Sequence, residues 1–125
     1  MKTKFSLKSR LHSFKHALSV LRIVIKDEHN ARVHFVATGF AILLGFALEL
    51  ENMEWIALLI CIALVWITEL LNTAIENACD LISLDYNPLI KKVKDVSAAA
   101  VLVASCLALI TDIILFLPDL LQLIV

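Results

Sequence analysis

The sequence predicts an all-α integral membrane protein: an N-terminal amphipathic surface helix followed by three transmembrane helices. Three observations predict it. The 125 residues are 61% hydrophobic with two glycines and two prolines, too apolar for a soluble domain of this length. Three segments, roughly 34–48, 55–82 and 96–117, approach or exceed what a hydrocarbon core requires, about 20 residues of helix. Charge is also lopsided: Lys2, Lys4, Lys8, Arg10, Lys15, Arg22 and Lys26 all precede the first acid, Asp27, although the net charge is −1.

Residues 1–33 form the cytoplasmic, interfacial part. Leu7, Leu11, Phe14, Leu18, Leu21 and Ile25 recur at spacings of four and three, and Lys8, His12, Lys15, Ser19, Arg22 and Lys26 repeat that rhythm one residue on. Two such stripes on one helix suit a position in the headgroup plane of an anionic membrane. Packing of this helix on its own bundle is the plainer alternative, and the two are compatible. The apolar patch "VLRIVI" is short and broken by Arg22, so no cleavable signal is expected and the N-terminus belongs to the mature protein.

The spans at about 34–48, 55–82 and 96–117 follow without a linker, repeat or low-complexity tract, so residues 1–125 read as one unit. Basic residues stay on the cytoplasmic side, and they cluster before the first span and in "KKVKD", between the second and third. The other connection, "ELENMEW", has three Glu and no Lys or Arg, and the chain after Pro118 has no basic residue. This places the N-terminus inside and the C-terminus outside. Cys61, Cys79 and Cys106 all lie in apolar helical stretches, and their odd number argues against a disulfide framework.

The second span ends in "TELLNTAIENACD". At about 100° per residue, Glu69, Asn72, Glu76 and Asp80 form one narrow line toward the cytoplasmic end. Glu28, Arg32 and His34 enter the first span at that same level, and Lys94 and Asp95 open the third. A carboxylate as deep as Glu69 costs on the order of 3 kcal/mol on insertion scales, so it demands a compensating role. Carboxylates on one face offer hard oxygen ligands to Mg²⁺, and an ion there could bind nucleotide phosphates. Lys94, with the N-terminus of the third helix beside it, favours phosphate oxygens. The deeper Glu69 is the candidate to take a proton from a hydroxyl at the membrane surface, as phosphoryl transfer to an alcohol requires. Gly39 and Gly45 are the only glycines and both fall in the first span, which excludes a Walker loop or a kinase Gly-rich loop.

Each polar residue also has a plainer reading. Asn72 and Glu76 are candidates for interhelical hydrogen bonding, Asp95 for an N-cap, and Glu28 with Arg32 for an i, i+4 surface pair. Asp80 lies near the interface, and Asp112, toward the outer end of the third span, suits a snorkelling or subunit-facing acid.

Taken together, "DEHNARVH", "ELLNTAIENACDLI" and "IKKVKDVSAAAVL" resemble the bacterial integral-membrane diacylglycerol kinase and undecaprenol kinase family over nearly the whole chain. The element E-x-x-N-[ST]-A-I-E-x-x-x-D, matched from Glu69 to Asp80, is the specific one, with K-D-x-x-x-A-A-V following at Lys94. The resemblance implies an ATP- and Mg²⁺-dependent lipid kinase in the bacterial cytoplasmic membrane, a homotrimer with active sites shared between neighbouring subunits at the cytoplasmic interface. It gives Glu69 the role of general base toward the lipid hydroxyl, braced by Asn72. It makes Glu28 and Glu76 the Mg²⁺ ligands that bridge to ATP, and places Lys94, Asp95 and the turn of Asp85, Tyr86 and Asn87 at the nucleotide. Asn87 stands where many relatives have His. "EHNARVH", "NPLIKKVKD" and "FLPDL" look more like the undecaprenol kinase branch, so undecaprenol is the expected substrate, with diacylglycerol the alternative and no nucleic-acid partner. The competing class is a non-enzymatic oligomer whose acids line an ion path, but the outer half of the second span, "IALLICIALVWI", is wholly apolar.

Overall fold

The computed structural model describes residues 6–123; Lys2 and Lys4 lie outside them. The described chain is all helical: α1 (Leu7–Asp27), α2 (His29–Ala47), α3 (Asn52–Ile82) and α4 (Pro88–Gln122). Three of these, α2, α3 and α4, are long and apolar enough to cross a membrane. Surface helix and first span meet at Glu28, whose extended backbone separates two helices while its side chain caps neither. Residues 29–33 therefore belong to the helix of the first span, not to the surface segment.

Helix α1 starts at Ser6, whose hydroxyl accepts the Ser9 N–H at 3.4 Å. Its leading apolar residues, Leu7, Leu11, Phe14 and Leu18, are exposed, so that stretch does not pack on the bundle, as the plainer alternative required. Only near Val24, which is buried, does α1 join the rest of the chain.

The α2–α3 hairpin closes through ordinary capping chemistry in a loop rich in acids. Glu49 adopts φ 55° just past the end of α2, while the Leu50 N–H donates to the Gly45 carbonyl at 3.1 Å and the Glu49 N–H to the Phe46 carbonyl at 3.4 Å. That is the Schellman pattern, with a Glu at the position where Gly is commonest. Glu51 and Glu54 then form a reciprocal capping box at the start of α3, with the Glu51 N–H donating to Glu54 Oε2 at 2.8 Å. The apolar core sits beside this hairpin, where Ala41, Leu50, Leu58 and Phe116 are buried and Leu44, Trp55 and Ile62 pack on them.

Along α3 the buried positions are Leu58, Cys61, Val65, Glu69, Asn72, Thr73 and Cys79. From Leu58 to Asn72 they recur at three and four residues and define a single inward stripe, apolar from Leu58 to Val65 and polar at Glu69 and Asn72. In the apolar half of α3, side-chain hydrogen bonds tie it to its neighbours: Trp66 Nε1–H to Thr38 Oγ1 of α2 at 3.1 Å, and the Cys61 thiol to Thr111 Oγ1 of α4 at 3.3 Å. All three cysteines are free thiols.

Helix α4 begins at Pro88, well before residue 96, and it continues through Pro118. Asn87 is its N-cap, Oδ1 accepting the N–H groups of Leu89 at 2.9 Å and Ile90 at 3.4 Å, with Pro88 in the first turn where its missing N–H costs nothing. Two expectations are overturned. Asp95 is two turns inside the helix and caps nothing, and the helix start is not beside Lys94 to offer free N–H groups to a phosphate there.

Candidate active site

The site is built where the inward stripe of α3 turns polar. Glu69 takes a position that Leu or Val would fill in an ordinary bundle. Its side chain is 2% exposed, and its Oε2 has no hydrogen-bond partner among the described residues. His34 of α2 stands across from it, Nε2 lying 3.8 Å from that oxygen. The carboxylates of Glu28 and Glu76 both act electrostatically on Glu69 and repel it. One chain thus gathers three acids, from the α1–α2 junction and from two successive turns of α3, into one electrostatic neighbourhood.

Asn72, one turn beyond Glu69, is also buried, and its Oδ1 accepts the hydroxyl proton of Ser97 on α4 at 2.7 Å. Ser97 is buried as well, with the Lys94 carbonyl 2.8 Å from its oxygen as an alternative acceptor. A small cavity of about 220 Å³ is lined by Asn30, Glu69, Asn72, Ala98, Val101, Leu102 and Ser105. Ser97 was missed in the sequence because a serine on an apolar helix carries no signal of its own. His34 was noted only as a polar residue entering a span.

Glu28 and Glu76 are half-buried, and neither makes a hydrogen bond or close ion pair among the described residues. Glu28 is not spent on Arg32, so the i, i+4 pair does not form; only the Arg32 N–H reaches the Glu28 carbonyl, at 3.3 Å. Carboxylates of this kind are the hard oxygen donors a divalent cation takes, but among the described residues no group of three or more His, Cys, Asp and Glu side chains could hold a metal alone.

The other candidate residues are placed less centrally. Lys94 forms an ion pair with Asp80 of α3 and also feels Glu76, so the cation closes the exposed end of the acidic line. Asp95 turns away to pair with Lys91 on its own helix. Asp85, Tyr86 and Asn87 lie exposed in the α3–α4 connection, where the Asp85 N–H donates to Ser83 Oγ at 3.1 Å and the Asn87 side chain is taken up by capping. Their reach to the acidic cluster is not built into the single chain.

Beside the polar cluster runs a lipid-sized groove between α3 and α4. A section of about 440 Å³ is lined by Thr68, Leu71, Asn72, Ile75, Lys92 and Val96 among others, and a second of about 470 Å³ continues along Leu64, Ala100, Val103 and Leu107. Thr68, Val96 and Ala100 line both sections, so the groove is continuous, apolar, and meets the polar stripe at Asn72.

Helices long enough to cross a membrane, with a buried acid at one end and an apolar groove that meets the polar stripe at Asn72, define a helical membrane protein. The prokaryotic diacylglycerol kinase family model matches residues 15–116, and the chain belongs to that family of membrane lipid kinases. It is 37% identical over 108 residues to the undecaprenol kinase of Bacillus subtilis, covering 86% of this chain and 88% of that protein. It is 38% identical over 117 residues to a diacylglycerol kinase of Synechocystis sp., covering 92% of this chain and 66% of that protein. It is 36% identical over 95 residues to the diacylglycerol kinase of Escherichia coli, covering 76% and 78%. As a kinase it uses a nucleotide phosphate donor.

Proposed function

We propose that this chain transfers the γ-phosphate of ATP to the primary alcohol of undecaprenol at the cytoplasmic face of a bacterial inner membrane, with diacylglycerol as the alternative acceptor. The observation that carries this reading is Glu69: a buried carboxylate with an unpartnered oxygen, in the electrostatic reach of two further acids and one turn from Asn72, which lines the apolar groove. Glu69 takes the proton of the lipid hydroxyl as the oxygen attacks phosphorus. Asn72, fixed by Ser97, braces the same site. Glu28 and Glu76 would hold Mg²⁺, which when bound offsets the charge of the transferring phosphate. Lys94 supplies a positive charge to the nucleotide, with Asp95 and the exposed Asp85, Tyr86 and Asn87 on its side of the membrane.

Undecaprenol is favoured over diacylglycerol on two grounds. The match to the Bacillus subtilis undecaprenol kinase covers 88% of that protein, against 66% and 78% for the two diacylglycerol kinases. The groove also extends along α4 from Lys92 to Leu107, a length suited to a long hydrocarbon. The inside orientation rests on Lys91, Lys92, Lys94 and the basic stripe of α1, opposite the acidic Glu49–Glu54 hairpin. A homotrimer with shared sites is part of the same reading and brings the exposed nucleotide-side residues of one subunit to the cluster of another.

The test is phosphate transfer by purified protein from ATP to undecaprenol and to diacylglycerol in Mg²⁺-containing micelles. We expect faster turnover on undecaprenol, and a fall in kcat of about 10²-fold or more for Glu69→Gln. Full activity of Glu69→Gln, or no transfer to either lipid, rejects the reading.

A further inference from the structure

A base that takes a proton from a lipid hydroxyl must lose it again before the next turnover, and Glu69 is badly placed to lose it directly, being 2% exposed. The basic side chain that faces it is on α2. His34 Nε2 lies 3.8 Å from the same unpartnered Oε2, too far for a formed hydrogen bond but within reach of a small side-chain adjustment or one bridging water. His34 is 16% exposed and lines a second cavity, of about 270 Å³, together with Thr38, Ser105 and Asp112. Ser105 Oγ and Asp112 Oδ1 are both buried there without partners among the described residues. The walls are mostly apolar, but these four polar side chains give a water there the two to four partners it needs.

We propose that His34 is the residue through which Glu69 sheds its proton after each phosphoryl transfer. The inference rests on the reading of Glu69 as the base. During transfer the O–H bond of the lipid breaks, its proton goes to Glu69 Oε2, the lipid oxygen bonds to the γ-phosphorus, and ADP leaves. The proton then moves from Oε2 to His34 Nε2, giving an imidazolium beside a carboxylate. It next passes to cavity water, which leaves Glu69 ionised and His34 neutral. The charged groups facing this pair are all acids: Glu28 from the α1–α2 junction and Glu76 from α3 act on Glu69, and Asp112 of α4 shares the cavity with His34. His34 touches no substrate; it acts through Glu69 as a positioning residue.

The experiment compares wild-type protein with His34→Gln and His34→Ala in undecaprenol micelles with ATP and Mg²⁺. Both variants are expected to lose about 10- to 100-fold in kcat, with KM for ATP and for undecaprenol within about twofold. The kcat of both variants is expected to rise with buffer concentration where that of the wild-type protein does not, and added imidazole to restore part of the rate of His34→Ala. Wild-type kcat without buffer dependence in His34→Gln overturns the proposal, as does a kcat loss that neither imidazole nor increasing buffer concentration relieves. Should His34→Ala fail to assemble, the buffer dependence of His34→Gln decides alone. An inactive Glu69→Gln beside a fully active His34→Gln removes the relay and leaves the base in place. An active Glu69→Gln removes both.

Discussion

At the scale of single residues, the site depends on polar groups that each need a partner from another helix. Asn72 is the clearest case. Its Oδ1 is buried and receives the Ser97 hydroxyl at 2.7 Å, so Ser97→Ala leaves a carbonyl without a donor in a low-dielectric setting. The cost of such an orphan is about 1–3 kcal/mol. Ser97→Ala is therefore expected to lower the thermal midpoint of the purified protein, and a double-mutant cycle with Asn72→Ala should show a coupling of about 1 kcal/mol. A coupling near zero in thermal unfolding would mean the bond contributes nothing. The exposed ion pairs, Lys91 with Asp95 and Lys94 with Asp80, belong to another class, because exposed pairs contribute little to stability.

At the scale of the helix, the two glycines of α2 are chemically identical and structurally opposite. A Cβ at Gly45 would lie 2.9 Å from Trp55 Cη2 and 3.2 Å from Leu50 Cδ1, whereas a Cβ at Gly39 meets nothing within 4 Å. Gly45→Ala is expected to destabilise by about 1–3 kcal/mol through overpacking. Gly39→Ala should be neutral or stabilising by up to about 1 kcal/mol, the helix-propensity difference. Thermal denaturation of the pair in one detergent reads the contrast, and equal midpoints would contradict this packing of the hairpin. The contrast follows from position: Gly45 is where α2 turns into its Schellman cap and lets the start of α3 lie against it, while Gly39 faces outward. The capping box of Glu51 and Glu54 shows the same division, since two of the three acids that set the charge of this loop also hold the helix start.

At the scale of the whole molecule, packing and chemistry occupy opposite ends. The apolar cluster around Leu58 and Phe116 fixes the end of the helices at the α2–α3 hairpin, and the polar residues stay together near α1 and the start of α4. The groove along α3 and α4 connects the two regimes, apolar along its length and polar at its head. Ala100→Trp, which fills the section shared by both parts of the groove, is expected to raise KM for undecaprenol about tenfold and leave KM for ATP unchanged. Steady-state kinetics with each substrate varied in turn checks this, and an unchanged lipid KM would place the acceptor elsewhere.

Much of this was legible before any fold was known. Hydrophobic run length counted the spans, helical period put Glu69, Asn72 and Glu76 on one line, and the family motif attached a chemistry to that line. These are properties of one helix, repeated every few residues along the chain, and a sequence displays them directly. The structure decided what stands opposite: His34 before Glu69, Ser97 beneath Asn72, Asp80 against Lys94, and Asp95 turned to Lys91. It also moved the start of α4 back to Pro88, where the Asn87 cap outcompetes the later Asp95 as a helix start. Such pairings depend on the rotation and depth at which helices meet. Those are set by the sum of many small packing contacts, so no local pattern in the sequence encodes them.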